Sequence, residues 1–226
     1  MRLDRVDVLK ALETQGVVPV FSHPDPAVCL EVIEACARGG APCVEFTNRG
    51  DFLLQAFTEV SRTLAARGSR VILGVGSIVD APTAALYISA GARFVVGPVL
   101  DPDTGRLCNK RMIAWSPGCG SASEIMQAQE LGADLVKVFP GESVGGPTFV
   151  KNVLGPMPWT KIMPTGGVDP TRESLTEWFG AGIRACGIGS KLITAQRIKD
   201  GDWAGIEQAV RETVEMIADI RKGLGK

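Results

Sequence analysis

A single histidine, His23, stands in 226 residues, so one chain can assemble neither a histidine-rich metal site nor a Ser-His-Asp triad of the usual kind. No two of the six cysteines (Cys29, Cys36, Cys43, Cys108, Cys119 and Cys186) form a C-x-x-C pair. In a chain with room for a large core they read as buried thiols rather than a disulfide framework. Charge of one sign is also lacking: Lys plus Arg total 24 and Asp plus Glu 25. That balance leaves no electrostatic footprint for nucleic acid or an anionic membrane. No apolar run approaches a membrane span, and Arg2, Asp4, Arg5 and Asp7 stand where a signal peptide needs an apolar stretch. A cytoplasmic protein with a small-molecule partner is the expectation. A carboxylate magnesium site would need Asp and Glu clustered at strand ends, where few stand, so no metal is expected.

What is present is a repeat of short Val-, Ile- and Phe-rich runs alternating with longer amphipathic segments, the pattern of βα units around a parallel sheet. Eight strand candidates cover 17–21, 43–49, 70–78, 94–100, 113–117, 135–140, 161–165 and 185–188. Between them, 27–38, 52–67, 81–90 and 123–131 carry apolar residues three and four apart, as helices packed on a barrel exterior do. Glycines follow many of these segments, where a left-handed cap is needed. A further amphipathic helix over 3–14 is expected to plug one end. No linker, low-complexity tract or charge block interrupts the pattern. The expected fold is therefore a (β/α)₈ barrel with an extra N-terminal helix, one domain over 1–226.

In such a barrel the chemistry belongs at the C-terminal strand ends. Lys137 lies inside Leu135-Val136-Lys137-Val138-Phe139, where a parallel strand should be apolar throughout. Burial there would favour the free amine that attacks carbonyls. Taken alone it reads better as a lysine that snorkels or pairs with a carboxylate. Glu45 shifts that balance, because it also sits within an apolar strand and shares a face with Thr47 and Arg49. A carboxylate near a desolvated amine is a suitable proton shuttle, and Arg49 could grip a substrate carboxylate through two hydrogen bonds.

Thr165-Gly166-Gly167 and Gly187-Ile188-Gly189-Ser190 end strands seven and eight, whose loops commonly form a phosphate site in these barrels. Each glycine pair alone is a weak signal, since glycine also serves tight turns. Their joint location favours phosphate, which backbone N–H groups can approach closely. Lys191 could add attraction or simply be solvated, and the residue chemistry leaves it open. His23, in Phe21-Ser22-His23-Pro24, reads as a turn residue.

Several motifs together resemble the 2-keto-3-deoxy-6-phosphogluconate (KDPG) and 4-hydroxy-2-oxoglutarate (KHG) aldolase family: Val18-Pro19-Val20, Glu45-x-Thr47-x-Arg49, Gly74-x-Gly76-Ser77, Pro117-Gly118, Lys137-x-Phe139-Pro140, Pro164-Thr165-Gly166-Gly167 and Gly189-Ser190. The resemblance spans about 17–193. It implies that Lys137 forms the Schiff base and Glu45 is the general acid/base. It also implies that Arg49, Ser77, Pro98, Phe139 and Thr165 surround the pyruvyl portion, and that Gly166, Gly167, Gly189 and Ser190 receive the phosphate. A homotrimer without a cofactor, acting on a phosphorylated keto acid and releasing pyruvate, is the implied protein. The chain departs from the family's usual pattern at Ser77 (usually Thr), Gly97-Pro98-Val99 (usually Ser-Pro-Gly) and Ile188-Gly189-Ser190 (usually Gly-Gly-Ser). Competing readings are an aldolase for the phosphogalactonate epimer, another phosphosugar enzyme on the same barrel, and a non-catalytic sugar-phosphate binder. Keeping Glu45, Arg49 and Lys137 together argues against the last.

Overall fold

Helix starts are written locally. Asp25, Asp80, Asp101, Ser121 and Thr171 each accept a backbone N–H from the first turn that follows, which satisfies donors that a helix leaves unpaired. The first three of these are followed by proline inside the first turn, where its missing N–H costs nothing.

The computed structural model describes residues 4–225. Helix α1 (Arg5–Gln15) leads into β1 (Val17–Phe21), α2 (Pro26–Arg38), β2 (Cys43–Thr47), α3 (Leu53–Ala66), β3 (Ile72–Gly76), α4 (Ala81–Ser89), β4 (Phe94–Val96) and α5 (Pro102–Arg111). Then come β5 (Ala114–Ser116), β6 (Gly118–Cys119), α6 (Ala122–Glu130), β7 (Val136–Val138), α7 (Gly146–Leu154), β8 (Ile162–Pro164), α8 (Arg172–Ala181), β9 (Cys186–Ile188), α9 (Ala195–Asp200) and α10 (Trp203–Gly223). No helix among the described residues is long and apolar enough to cross a membrane.

All strand pairs are parallel, in the orders β5-β4-β3-β2-β1-β9 and β6-β7-β8. The two arcs close into one ring. A parallel bridge from Thr165 to Gly187 joins the end of β8 to β9, and β5 and β6 are halves of one barrel strand interrupted at Pro117. Proline has no N–H for a ladder. Its carbonyl still accepts from Lys137 N at 3.0 Å, while the Ser116 carbonyl serves Gly97 N at 3.1 Å on the other side. The expected eight-stranded barrel is present.

The strand boundaries correct the sequence reading. Only 17–21 matches its ladder; the other runs extend past theirs by one to several residues. Hydrophobic patterning continues into the flanking residues at either end, whereas a strand ends where backbone pairing ends. The expected continuous fifth strand, 113–117, is instead the broken one. Helix α1 fills the bottom of the barrel as expected, over Arg5–Gln15; Leu3 of the 3–14 expectation lies outside the described residues.

Two cores result. The larger lies between strands and outer helices and includes Val44, Phe46, Phe57, Tyr87 and Trp178. The smaller fills the lower barrel, where Val8, Leu9 and Leu12 of α1 meet Val18, Cys43, Ile72, Phe94, Leu135 and Met163. Buried Gln15 fastens this plug: its amide nitrogen donates to the Val17 and Cys43 carbonyls, and its oxygen accepts from Cys43 N at 2.7 Å.

Candidate active site

Residues at alternate positions of a strand share one face. Cys43, Glu45 and Thr47 therefore follow one another up the inner face of β2, and Leu135, Lys137 and Phe139 do so along β7. Cys43 and Leu135 belong to the bottom core, which places Glu45 and Lys137 one step above it. Glu45 is 1% exposed and Lys137 3%. The Lys137 ammonium nitrogen lies 4.4 Å from the centroid of the Phe139 ring.

Space for the carboxylate comes from the neighbouring strand. Glu45 is in register with Gly74 and Thr47 with Gly76. A methyl group on Gly76 would fall 1.7 Å from Glu45 Oε1, so any side chain there would evict the carboxylate. Gly74 similarly makes room for the Phe94 ring, 2.3 Å from where a methyl would be. The sequence reading identified Gly74-x-Gly76 as a motif but missed this function, because the contact crosses strands.

Electrostatics follow from burial. Loss of water pushes the Lys137 pKa down, with Glu45 pulling the other way and the Arg49 guanidinium adding to the lowering. The same loss pushes the Glu45 pKa up, opposed by Lys137 and Arg49. Glu45 Oε2 is buried with no hydrogen-bond partner. Both groups are thus held toward their neutral forms, and an amine biased toward neutrality is a nucleophile. The thiols offer no rival: burial pushes all six cysteines up to about 12. Among the described residues no group of three or more His, Cys, Asp or Glu side chains is arranged to hold a metal ion.

Above the pair opens a cavity of about 530 Å³. Thr47, Arg49, Phe139 and Thr165 line one part, and Gly166, Gly167, Gly189, Ser190 and Lys191 line another. Thr165 Oγ1 is buried without a hydrogen-bond partner; it leans over Gly187, where a methyl would lie 2.5 Å from it. In the loop network Gly166 O and Gly189 O accept from backbone N–H groups, whereas the Gly167 and Ser190 N–H groups donate to no carbonyl among the described residues. Donors left open beside a cavity suit an anion.

Not every candidate residue lines this cavity: Arg49 does, but Glu45 and Lys137 lie one inward position below Thr47 and Phe139 and are not part of its wall. Arg49 lies beyond the end of β2, is exposed, and donates from Nε to Ser77 Oγ at 2.9 Å. Ser77 does not itself line the cavity; it adopts a left-handed conformation, φ 60°, rare for a residue with a side chain, and from there holds the guanidinium. Pro98 also falls outside the lining, with its carbonyl oxygen 2.2 Å from where a methyl on Gly118 would be. His23 accepts Asp25 N–H at Nδ1 over 3.1 Å, the turn expected of it. Lys191 pairs with Asp169, a partner that the sequence reading missed because the two are on different loops. A larger depression, about 1040 Å³, lies outside the barrel between α6 and Trp159, and neither Glu45, Lys137 nor the glycine loops line it.

The chain is similar to known proteins in sequence and in fold. The family model described as KDPG and KHG aldolase covers residues 8–209. A 2-dehydro-3-deoxy-phosphogluconate aldolase of Pseudomonas aeruginosa is 32% identical over 96% of both chains. A KHG/KDPG aldolase of Escherichia coli is 28% identical over 90% of this chain and 93% of its own. The crystal structure of the 2-keto-3-deoxy-6-phosphogluconate aldolase of Zymomonas mobilis with 3-phosphoglycerate superimposes with a TM-score of 0.79 at 27% identity, covering 92% and 95% of the two chains. The family model over residues 8–209 and the 32% identity over 96% of both chains show that the chain belongs to the KDPG and KHG aldolase family.

Proposed function

We propose that the chain is a class I aldolase that cleaves 2-dehydro-3-deoxy-6-phosphogluconate to pyruvate and glyceraldehyde 3-phosphate. The single observation that carries this is the desolvated Lys137 amine, set inside a barrel strand and electrostatically coupled to Glu45. Among the described residues Glu45 Oε2 is buried without a hydrogen-bond partner, so the carboxyl is not spent on holding the fold together.

In this reading the neutral Lys137 amine attacks the C2 ketone to give a carbinolamine. Glu45 donates a proton to the departing water, leaving an iminium ion and a carboxylate. The C4 hydroxyl then loses its proton to that carboxylate, the C3–C4 bond breaks, and its electron pair becomes the enamine as the aldehyde leaves. Protonation at C3 and hydrolysis of the resulting iminium return pyruvate and the free amine. Arg49, steadied by Ser77, grips the substrate carboxylate, with Thr47, Pro98, Phe139 and Thr165 around the pyruvyl portion. Gly166, Gly167, Gly189 and Ser190 hold the phosphate through N–H groups and a hydroxyl. The three-carbon phosphate named in the Zymomonas structure, similar in size to the aldehyde product, supports a phosphorylated substrate.

4-Hydroxy-2-oxoglutarate, giving pyruvate and glyoxylate, is a second substrate in this reading, supported by the dual name of the Escherichia coli relative. The whole of 1–226 acts as one domain, supported by the single ring of strands. A homotrimer is proposed from the family resemblance. A cytoplasmic location is supported by six cysteines that are all free and buried, as a reducing compartment leaves them. The test is pyruvate release across phosphorylated and unphosphorylated 2-keto-3-deoxy acids and 4-hydroxy-2-oxoglutarate. Release from the phosphogluconate derivative supports the reading, and failure to release pyruvate from any of them defeats it.

A further inference from the structure

Among the described residues the cavity wall carries two cationic side chains, Arg49 and Lys191, and no carboxylate. Their stations differ. Arg49 follows β2 and is tied to Ser77, whereas Lys191 follows β9, with β1 between the two strands. Lys191 is thus the cation on the side of the open Gly167 and Ser190 amides. It forms an ion pair with Asp169, which belongs to the adjacent loop after β8. The pair spans the two loops that would flank a bound anion.

We propose that Lys191 is a specificity-determining residue: parked on Asp169 in the empty protein, its ammonium transfers to the terminal phosphate of the substrate and discriminates phosphorylated from unphosphorylated sugar acids. This rests on the reaction proposed above and names what selects its substrate. The exchange is favourable for three reasons. Asp169 Oδ1 is buried where the ammonium faces it, but the side chains of Lys191 and Asp169 are 61% and 36% exposed overall, and a partly exposed pair is weak to begin with. A phosphate monoester carries roughly 1.5 to 2 negative charges near neutrality, against one for the aspartate. The amides and the Ser190 hydroxyl contribute only partial charges, so a full cation is the missing component of a site for a dianion.

The readout is the ratio of kcat/KM for 2-keto-3-deoxy-6-phosphogluconate to that for unphosphorylated 2-keto-3-deoxygluconate, which differs only at the distal end. Lys191→Gln should lower this ratio about fivefold, through KM, the upper range for an ion pair that keeps water on one side. Lys191→Arg should hold it within about twofold, since the charge remains. Asp169→Asn should raise the ratio, because the competing carboxylate is gone. Inorganic phosphate, as a competitive inhibitor, should weaken in Lys191→Gln by a similar factor. An unchanged ratio in Lys191→Gln, or a fall in Asp169→Asn, overturns the assignment of Lys191 while the aldolase reading stands. Absence of pyruvate release by the unaltered protein from both acids would instead defeat the reaction itself.

Discussion

Below Glu45 the barrel interior is apolar, filled by Val18, Cys43, Ile72, Phe94, Leu135, Met163 and the plug residues Val8, Leu9 and Leu12. One inward position higher, the same strands β2 and β7 present Glu45 and Lys137, both almost free of solvent, with glycine at the facing positions of β3. The lower half gains stability from every side chain it buries. The upper half gives up a side chain at Gly76 and accepts two buried ionisable groups, a cost tolerated where chemistry needs it. Neighbouring inward positions of one sheet thus separate stability from reactivity, and changes in one half should leave the property of the other.

The largest contrast is expected at Lys137. Lys137→Met should abolish activity yet raise stability. An unfolded lysine holds its proton below its ordinary value of 10.5, whereas the folded one releases it at lower pH. Between those values the unfolded state binds more protons, so the lysine destabilises the wild type increasingly as pH falls through that window. Removing Lys137 also removes an influence that lowers the Glu45 pKa. Glu45 disfavours the folded state above its ordinary 4.5, so this offsets part of the gain at higher pH. The stability gain should therefore grow toward the acid side; denaturant melts at several pH values check it, and a destabilised variant at every pH would break the contrast. Glu45→Gln comes next, slowing turnover by roughly 10²–10⁴, the range for a positioned acid/base; an undiminished rate would remove Glu45 from the mechanism.

The reciprocal change lies in the plug. Leu12 is 1% exposed, and Leu12→Ala should cost about 2–5 kcal/mol of stability while kcat, measured well below the melting temperature, stays near wild type. A smaller stability effect, about 1–3 kcal/mol for an overpacked site, is expected of Gly76→Ala. Its signature would be kinetic, because the added methyl displaces the carboxylate and slows proton transfer. Wild-type kcat in Gly76→Ala would show that Glu45 does not need its present seat.

Much of this division was legible from periodicity. The alternation of short apolar runs and amphipathic segments identified the barrel, and a charged residue in the middle of an apolar strand identified Glu45 and Lys137. Effects that cross from one strand or loop to another were not legible. Nothing near Gly76 announces that it faces a carboxylate, and nothing near Lys191 announces Asp169 as its partner. Pro117 was visible as a residue, but its division of one strand between two neighbours depends on which carbonyls remain to be paired. Arg49 reads as a continuation of β2, although the ladder stops at Thr47 and a hydroxyl from the next loop holds the guanidinium.

An uncharged nucleophile at Lys137 underlies both the chemistry and its separation from the core below, and reductive trapping tests it most directly. Borohydride added with pyruvate near neutral pH should leave a stable pyruvate-derived mass on the peptide containing Lys137 and none on peptides containing Lys191 or Lys161. An unmodified Lys137, or modification elsewhere in the chain under the same conditions, would contradict it.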